Sequence, residues 1–455
     1  MSTVEALERP VRAQEQTNPY LRGNFAPVEV ETTAFDLPVK GKLPQELSGR
    51  YLRIGPNPYG PVDGERYHWF MGTGMAHGLR LRDGKAEWYR NRFIIGETVA
   101  GQLGRANIPG PKNGFGDNAN TNIVDMGGKT YAIVEAGSLP VELSYELESV
   151  RRSNLGGTLP HGFSAHPKFD PITGGHHVVT YQPGLQAISY LFVDRDGRST
   201  TVADIPAPHC PMIHDIAFTQ RYAIILDLPV DFEMSLIGKG FPFAWNDKRA
   251  GRIGLVPRNG DLSAMRWIEA PECYVFHVMN AYDDGADVVI DVARHPKMFA
   301  SEMRGPSEGR PVLVRWRIDT EGRLTQTVMD DRGVEFPRFN DARAGQSYRY
   351  GYTASAGDAL QEFGPSFKHD LQTGVNQTHD YGPGRQGLEP VFVAREGATA
   401  EDDGWVMTYV YDAGRNTADV VIVDAQDFEG EPVAVVELPV RVPFGFHGNW
   451  IADRA

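Results

Sequence analysis

Four of the thirteen histidines lie in settings that suit a metal ligand. His166 stands at a turn that opens a strand (SAHPKFDP), His214 begins a strand (HDIAFT), and His277 lies inside an apolar run (YVFHVMNAYDDG). His447 lies in PFGFHGNWI, an apolar stretch close to the chain end, where a polar and frayed tail would be usual. Four neutral imidazoles would hold a borderline divalent ion such as iron, zinc, copper or nickel, whereas calcium would require carboxylates.

The spacing of these histidines forms no local metal motif. They are separated by 48, 63 and 170 residues, unlike the short spacing of HExxH. Taken alone, each is more often an ordinary hydrogen-bonded or surface histidine. A fold in which distant strands converge on one axis would bring the four together.

Most of the sequence consists of short β-rich runs separated by tight turns. In NTNIVDMGGKTYAIVE (120–135), two apolar runs flank a glycine pair, as a type I′ hairpin requires. The same pattern recurs along the chain, and helical periodicity is nearly absent. Many antiparallel hairpins over more than 400 residues, without a linker, predict an all-β fold, and a β-propeller protects the strand edges. No exact repeat gives the number of blades.

Two long irregular stretches interrupt the hairpins, at 91–120 and 228–251. Loops of this length are usually functional, and we expect both to be insertions that form a cap over one face. We expect residues 1–18 to be a flexible arm and residues 19–455 to be a single propeller domain. The apolar segment 234–245 suits either a mouth that rests on a membrane or micelle, or a lid packed inside the cap.

The composition excludes several classes of protein. The chain has 45 Lys and Arg against 59 Asp and Glu, a formal charge of −14, which disfavours a nucleic-acid partner. The two cysteines, Cys210 and Cys273, cannot build a disulfide framework or a Cys-rich zinc site. The N-terminus lacks the pattern of a secretory signal, and no apolar run reaches the roughly 18 residues of a membrane span. We therefore expect a cytoplasmic protein, with no obligate protein partner.

Nine stretches carry a more specific signal. In chain order they are GRYLRIGPNP (49–58), HWFMGTGMAHGLRL (68–81), ANTNIV (119–124), AHPKFDP (165–171), HDIAFT (214–219), FHVMNAYDDG (276–285), EFPRFN (335–340), GLEPVFV (387–393) and FHGNW (446–450). Together, and in this order, they resemble the motifs of the carotenoid cleavage oxygenase family. The resemblance implies a seven-bladed β-propeller with a helical and loop cap over one face.

The resemblance also implies a non-haem Fe(II) centre on the propeller axis. By motif its ligands are His166, His214, His277 and His447. Three glutamates, Glu135, Glu335 and Glu389, match family positions that accept hydrogen bonds from the ligand imidazoles. A carboxylate in that place fixes the tautomer and orientation of the ring. Thr121 matches a threonine that crowds the open coordination position, although a β-branched strand residue is its ordinary interpretation.

The implied reaction is cleavage of a conjugated carbon–carbon double bond by O2, giving two carbonyl products. The family includes cleavers of carotenoids and apocarotenoids and cleavers of phenolic stilbenes. In the latter, a lysine directly before the first glutamate helps to bind the phenol; here that residue is Val134, which favours an apolar polyene. We expect further apolar side chains to line a substrate tunnel, although any of them could be ordinary core: Phe70, Phe93, Tyr282, Phe336 and Phe446.

Three other functions remain open from the sequence. Propellers also carry hydrolases with an axial calcium ion, which would take six to eight oxygen ligands. A propeller can also serve as a binding platform without catalysis. The family itself includes an isomerohydrolase that acts on retinyl esters without oxidising them.

Overall fold

The computed structural model describes residues 17–114, 116–358 and 362–454. Residues 1–16 of the predicted arm lie outside the described residues. Asn18, which the sequence analysis assigns to the arm, is fully buried. Its side-chain amide donates to the carbonyl oxygens of Gly64 and Tyr67 at 2.9 and 2.8 Å. The chain is therefore fixed to the fold at least from this residue onward.

The described residues form thirty-three strands and one α-helix. The strands are β1 Thr33–Phe35, β2 Val39–Gly41, β3 Gly49–Pro56, β4 Gly74–Arg82, β5 Lys85–Phe93, β6 Asn122–Met126, β7 Lys129–Ile133, β8 Val141–Leu143, β9 Ser149–Arg152, β10 Lys168–Asp170, β11 Gly175–Thr180, β12 Ala187–Val193, β13 Ser199–Pro206, β14 Ile216–Phe218, β15 Tyr222–Asp227, β16 Val230–Phe232, β17 Phe243–Trp245, β18 Arg252–Pro257, β19 Arg266–Glu269, β20 Tyr274–Asp284, β21 Asp287–His295, β22 Val312–Ile318, β23 Leu324–Asp330, β24 Val334–Phe339, β25 Tyr350–Ser355, β26 Ser366–Asp370, β27 Asn376–His379, β28 Arg385–Gly387, β29 Val391–Ala394, β30 Gly404–Asp412, β31 Thr417–Asp424, β32 Ala434–Glu437 and β33 Gly448–Ala452.

The helical elements are short. The α-helix, α1, spans Glu97–Leu103. Eight single turns of 3₁₀ helix lie at Pro19–Leu21, Gly23–Phe25, Trp69–Met71, Leu155–Gly157, Met234–Leu236, Leu262–Ala264, Asp341–Arg343 and Ala425–Asp427.

Seven antiparallel sheets form the blades of a β-propeller, which confirms the predicted fold. In chain order they are β1-β5-β4-β3-β33, β6 to β9, β10 to β13, β14-β15-β18-β19, β20 to β23, β24 to β27, and β28/β29-β30-β31-β32-β2. The predicted hairpin at 120–135 is β6–β7, and Gly127 and Gly128 both have positive φ, as the turn requires. Core residues of neighbouring blades pack together, as Val179, Ile224 and Val292 do in one cluster.

Both ends of the chain close the ring. Strand β2 adds an outer strand to the last blade by pairing with β32, and β33 adds an inner strand to the first blade by pairing with β3. Tyr51 of β3 stacks on Tyr409 of β30, with 4.7 Å between ring centroids. The Tyr409 hydroxyl donates to the carbonyl oxygen of Tyr51 at 3.0 Å. The apolar C-terminal stretch is thus part of the core, because it completes a blade.

The two irregular stretches lie between blade strands. Segment 91–120 contains α1, and segment 228–251 contains β16 and β17, which pair as a separate two-stranded sheet. We refer to β16–β17 and the residues between them as the cap ribbon (230–245). The expected cap therefore contains one short helix, α1, and is otherwise loop and ribbon, because glycine and proline interrupt the segment that follows α1. In the described part of the chain, no helix is long and apolar enough to cross a bilayer.

Candidate metal centre

Each of the seven blades has at least one candidate site residue in or beside one of its strands. Four of these residues directly precede a strand of their blade: Thr121 before β6, His166 before β10, His214 before β14 and His447 before β33. Two lie within a strand, His277 in β20 and Glu335 in β24, and Glu389 lies between β28 and β29. The pairing register shifts around His277 and again just after Glu335. Such bulges change the direction in which a side chain points. The blades thus converge on a common centre.

The four predicted histidines form one buried cluster. Ligand atoms of His166, His214, His277 and His447 all lie within 4.8 Å of one another. The Nε2 atoms of His166 and His214 are 3.0 Å apart. Nitrogen ligands bind a divalent ion such as zinc at about 2.0–2.1 Å, so two ligands at right angles are about 3 Å apart. The observed separation is therefore that of two neighbouring ligands of one ion.

Two of the histidines donate their other ring N–H to a carboxylate. His277 Nδ1 lies 2.5 Å from Glu335 Oε2, and His447 Nδ1 lies 2.9 Å from Glu389 Oε1. In that tautomer, Nε2 carries no proton and can bind a metal. Nε2 of His277 is buried and has no hydrogen-bond partner among the described residues, as expected of an atom that faces a metal position.

Glu135 stands in the corresponding place beside His214. Its Oε2 lies 2.7 Å from His214 Nδ1, although the ring N–H is not aligned with the oxygen as in a hydrogen bond. Its Oε1 accepts a hydrogen bond from the Tyr181 hydroxyl at 3.1 Å. All three glutamates predicted from the sequence therefore lie against a histidine of the cluster.

Burial and these carboxylates act on the pKa values in opposite directions. Burial and the neighbouring imidazoles hold the pKa of His166 well below its usual range. Burial also lowers the pKa of His447 to about 4, despite the Glu389 carboxylate. Burial alone would lower the pKa of His214, but the carboxylate of Glu135, together with those of Asp215 and Glu335, outweighs burial and raises this pKa. Two of the four rings are thus held neutral, the form in which imidazole binds a metal.

The charges around the cluster are those of a site for a dication. Burial opposes ionisation of Glu389, but Arg338 and His447 lower its pKa to about 2. Burial likewise opposes ionisation of Glu335, but His277 and His295 lower its pKa well below the usual range. The guanidinium of Arg338 lies 3.4 Å from Glu389. Buried charge requires compensation, which a divalent ion held by the four histidines would supply.

A cavity of about 960 Å³ opens directly on the cluster. Its wall includes His214, His277 and His447 and is otherwise mainly apolar. Thr121 lies in this wall, and its carbonyl oxygen accepts the backbone N–H of His447 at 3.1 Å. Four of the six residues proposed for the tunnel line the cavity: Phe70, Val134, Phe336 and Phe446.

The structure places the other two tunnel candidates elsewhere and corrects the expectation for them. Phe93, at the end of β5, is buried in the core and packs edge-on against Tyr59. Tyr282, near the far end of β20, packs against Tyr348, with Arg315 near its ring. Five residues of extended strand span about 17 Å. Tyr282 therefore lies far along β20 from His277, outside the cavity wall.

Several residues of the centre have no signal in the sequence. His295 donates from Nε2 to Glu335 Oε1 at 2.7 Å, Arg338 lies 3.4 Å from Glu389, and Tyr181 contacts Glu135. Ala136 and Phe336, directly after two of the glutamates, have φ of 61° and 52°. Non-glycine residues with positive φ are strained and collect at functional sites. Only the folded structure shows these features, because each depends on residues that are distant in sequence.

Comparison with known proteins agrees with this geometry. Residues 25–452 match the family model described as Retinal pigment epithelial membrane protein. A carotenoid cleavage oxygenase of Mycobacterium tuberculosis is 39% identical, over 96% of this chain and 98% of that protein. The lignostilbene dioxygenase of Pseudomonas brassicacearum has a TM-score of 0.86 at 25% identity, covering 96% of this chain and 99% of that one. The cobalt-substituted apocarotenoid oxygenase of Synechocystis has a TM-score of 0.83 at 26% identity, covering 94% and 97%.

Proposed function

The chain belongs to the carotenoid cleavage oxygenase family, a class of non-haem iron oxidoreductases, and we propose that it uses Fe(II) and O2 to cleave a conjugated carbon–carbon double bond of a carotenoid or apocarotenoid. The products would be two carbonyl compounds. The observation that carries this proposal is the meeting of two features: a buried cluster of four histidines and an apolar cavity that opens on it.

Residues of the metal centre and of the cavity wall would have different roles in this reaction. His166, His214, His277 and His447 would hold the ion, and Glu135, Glu335 and Glu389 would orient three of these rings. Bound iron would supply the redox chemistry that activates O2. Thr121 would narrow the space beside His447, and the apolar wall would exclude water and place one double bond of an extended substrate near the cluster.

The cavity favours an apolar substrate over a phenol. Its volume of about 960 Å³ is at the upper end of the usual range for small-molecule sites, roughly 300–1,000 Å³, which suits an elongated molecule. Val134 lies in the wall, directly beside Glu135, where the stilbene-cleaving pattern has lysine. The lignostilbene dioxygenase among the similar structures makes cleavage of a phenolic stilbene the second candidate.

The test begins with anaerobic loading of Fe(II), followed by exposure to O2 with a carotenoid, an apocarotenal, resveratrol and isoeugenol. We expect stoichiometric iron and the fastest cleavage with one of the two polyenes. Calcium in place of iron would instead favour the hydrolase. Oxygen-18 from O2 in an aldehyde product distinguishes cleavage from isomerohydrolase chemistry. Cleavage of resveratrol faster than every polyene would overturn the substrate assignment.

Val134→Lys tests the substrate argument directly. A lysine at this position would place a cation in an apolar wall, which penalises a polyene and offers an ion pair to a phenolate. We expect kcat/KM to fall at least tenfold for the polyene and to rise for resveratrol. Val134→Met serves as the control, since it adds length without charge. Equal effects of the two variants on both substrates would contradict the interpretation of Val134.

We also propose that the protein is cytoplasmic and collects its substrate from a membrane surface or micelle. Met71, Met234 and Ile237 line the cavity and are 58%, 72% and 54% exposed, which supports an apolar mouth. Flotation with neutral phosphatidylcholine vesicles provides the test. We expect wild type to float and a Met234→Glu, Ile237→Glu double variant to stay in solution; equal flotation of the two would overturn this contact.

A further inference from the structure

The three glutamates beside the histidine cluster are not held in the same way. Glu335 accepts hydrogen bonds from His277, from His295 and from the backbone N–H of Phe336. Glu389 accepts from His447 and from the backbone N–H of Gly448 at 2.7 Å, with Arg338 at 3.4 Å. Each of these two carboxylates is thus fixed by a backbone N–H as well as by side chains, so the propeller backbone sets its orientation.

Glu135 is held from the cavity instead. It follows β7, and its carboxylate is 11% exposed, against 1% and 3% for the other two. Among the described residues, the one hydrogen bond that its side chain accepts comes from the Tyr181 hydroxyl, at 3.1 Å to Oε1. That bond leaves Oε2 facing His214 Nδ1 at 2.7 Å. Without it, rotation about the last side-chain bond would carry Oε2 away from the ring.

The Tyr181 side chain is itself well fixed. It follows β11 in the next blade, is 5% exposed and lies in the cavity wall beside Glu135. Phe243 of the cap ribbon packs edge-on against its ring, with 6.1 Å between centroids. The next residue, Gln182, accepts hydrogen bonds from Asn113 and from the backbone N–H of Gly162, which hold the turn. The phenol is therefore a rigid donor rather than a surface group that contacts Glu135 by chance.

We infer that Tyr181 is a positioning residue: its hydroxyl fixes the Glu135 carboxylate, which in turn orients His214 toward the metal. It acts through Glu135, which accepts the hydrogen bond of its hydroxyl. The other two histidine–glutamate pairs need no such residue, because backbone N–H groups perform the task. Of the three pairs, His214–Glu135 is therefore the one whose geometry depends on a side chain in the substrate cavity. It depends in turn on the cap ribbon, which packs against Tyr181.

Tyr181→Phe removes the hydroxyl and keeps the ring. Tyr274→Phe is the matched control: Tyr274 is also buried beside the centre, but its hydroxyl lies 3.4 Å from the carbonyl oxygen of Met212. The first readout is the rate at which Co(II)-loaded protein releases its metal to a chelator, without substrate. Loss of a residue that orients a metal ligand typically costs 10–100-fold in affinity. We expect Tyr181→Phe to release metal about 5–10-fold faster and Tyr274→Phe to match wild type.

A second readout separates positioning from a general structural role. If Tyr181 acts through Glu135, adding Tyr181→Phe to Glu135→Gln should change metal release less than twofold, because the carboxylate is already gone. The visible spectrum of bound Co(II) should shift in Tyr181→Phe, while the melting temperature of the metal-free protein should not. Additive effects in the double variant, equal release by the two tyrosine variants, or a wild type that binds no metal would each overturn the inference.

The inference rests on the proposed function for the role of the metal centre but not for its substrate. Metal release and the Co(II) spectrum are measured without O2 or alkene. If the protein cleaves no tested alkene while Tyr181→Phe alone releases metal faster, the positioning role stands and the proposed reaction fails. If cleavage of a polyene is found while the release rates are equal, the reaction stands and Tyr181 has no such role.

Discussion

At the scale of single residues, the sequence pointed to the chemistry through a set of positions rather than through any one of them. The spacing of the histidines matched no metal motif, and each histidine alone had an ordinary interpretation. The family resemblance predicted all seven positions, six of which lie within the nine motifs, and the structure brings all seven together. Tyr181, His295 and Arg338 could not be found in this way, because each is recognised only by the carboxylate that it contacts across the fold.

His277→Ala should lose the metal while the propeller stays folded. The substitution removes one of four clustered ligand atoms and leaves Glu335 hydrogen-bonded to His295. We expect bound iron, measured after anaerobic loading and desalting, to fall at least tenfold with the circular dichroism spectrum unchanged. The control is His379→Ala, which removes another buried histidine whose Nδ1 contacts the carbonyl oxygen of Phe428. Full iron in the His277 variant would exclude it as a ligand.

At the scale of elements, hairpins were predictable and their irregularities were not. A glycine pair between apolar runs specifies a turn locally, so β6–β7 followed from the sequence. The register shifts in β20 and β24, and the gap between β28 and β29, depend on the neighbouring strand, so no local pattern reveals them. These irregularities lie close to His277, Glu335 and Glu389. The backbone segments that orient these site residues are therefore the ones that are hardest to predict from sequence.

The cap ribbon is fastened to its blade by a cluster of buried charges. Arg249 donates to Asp227 at 2.9 Å and to Asp231 at 2.6 Å, and Arg252 donates to Asp227 at 2.8 Å. Without Arg249, Asp227 keeps Arg252 but Asp231 loses its guanidinium partner, and removing one partner of a buried ion pair costs about 3–5 kcal/mol. Arg249→Met should therefore lower the free energy of unfolding by about 3 kcal/mol in urea titration and speed proteolysis within 234–240. Lys248→Met, at an exposed neighbour, is the control; equal stability of the two variants would contradict this role.

Acid should weaken the same attachment. Burial opposes ionisation of Asp227, but His209, Arg249 and Arg252 outweigh it and hold its pKa below the usual range. The unfolded chain then binds a proton more readily than the folded one, so the stabilisation from Asp227 is complete above the unfolded pKa of about 3.9 and is lost as the pH falls through the lower folded value. In urea titrations, Asp227→Asn should be less stable than wild type at pH 7, with the difference shrinking below about pH 4. A difference independent of pH would contradict this assignment.

At the scale of the whole molecule, the ring is closed by two separate strands, β2 and β33, of which β33 has a signal in the sequence. The apolar stretch around His447 indicated that the C-terminus belongs to the core, and β33 does complete the first blade. Strand β2 has only three residues and no periodic pattern, and its partner β32 lies almost four hundred residues further along the chain. Such a pairing is fixed by closure of the ring and not by local sequence, so it could not be read in advance.

Removing residues 446–455 should separate ring closure from metal binding when it is compared with a point variant. The truncation deletes β33, uncovers the edge of β3 and takes away both His447 and the buried Phe446. Loss of one buried phenylalanine side chain alone costs about 3–5 kcal/mol. His447→Ala removes the ligand and keeps the strand.

We expect neither protein to retain iron. The melting temperature of the truncated chain, measured without metal, should fall well below that of His447→Ala, because an exposed inner edge leaves a row of backbone groups unpaired. If the truncated chain and His447→Ala have the same melting temperature, β33 contributes little to closure. If the truncated chain still binds iron stoichiometrically, His447 is not a ligand.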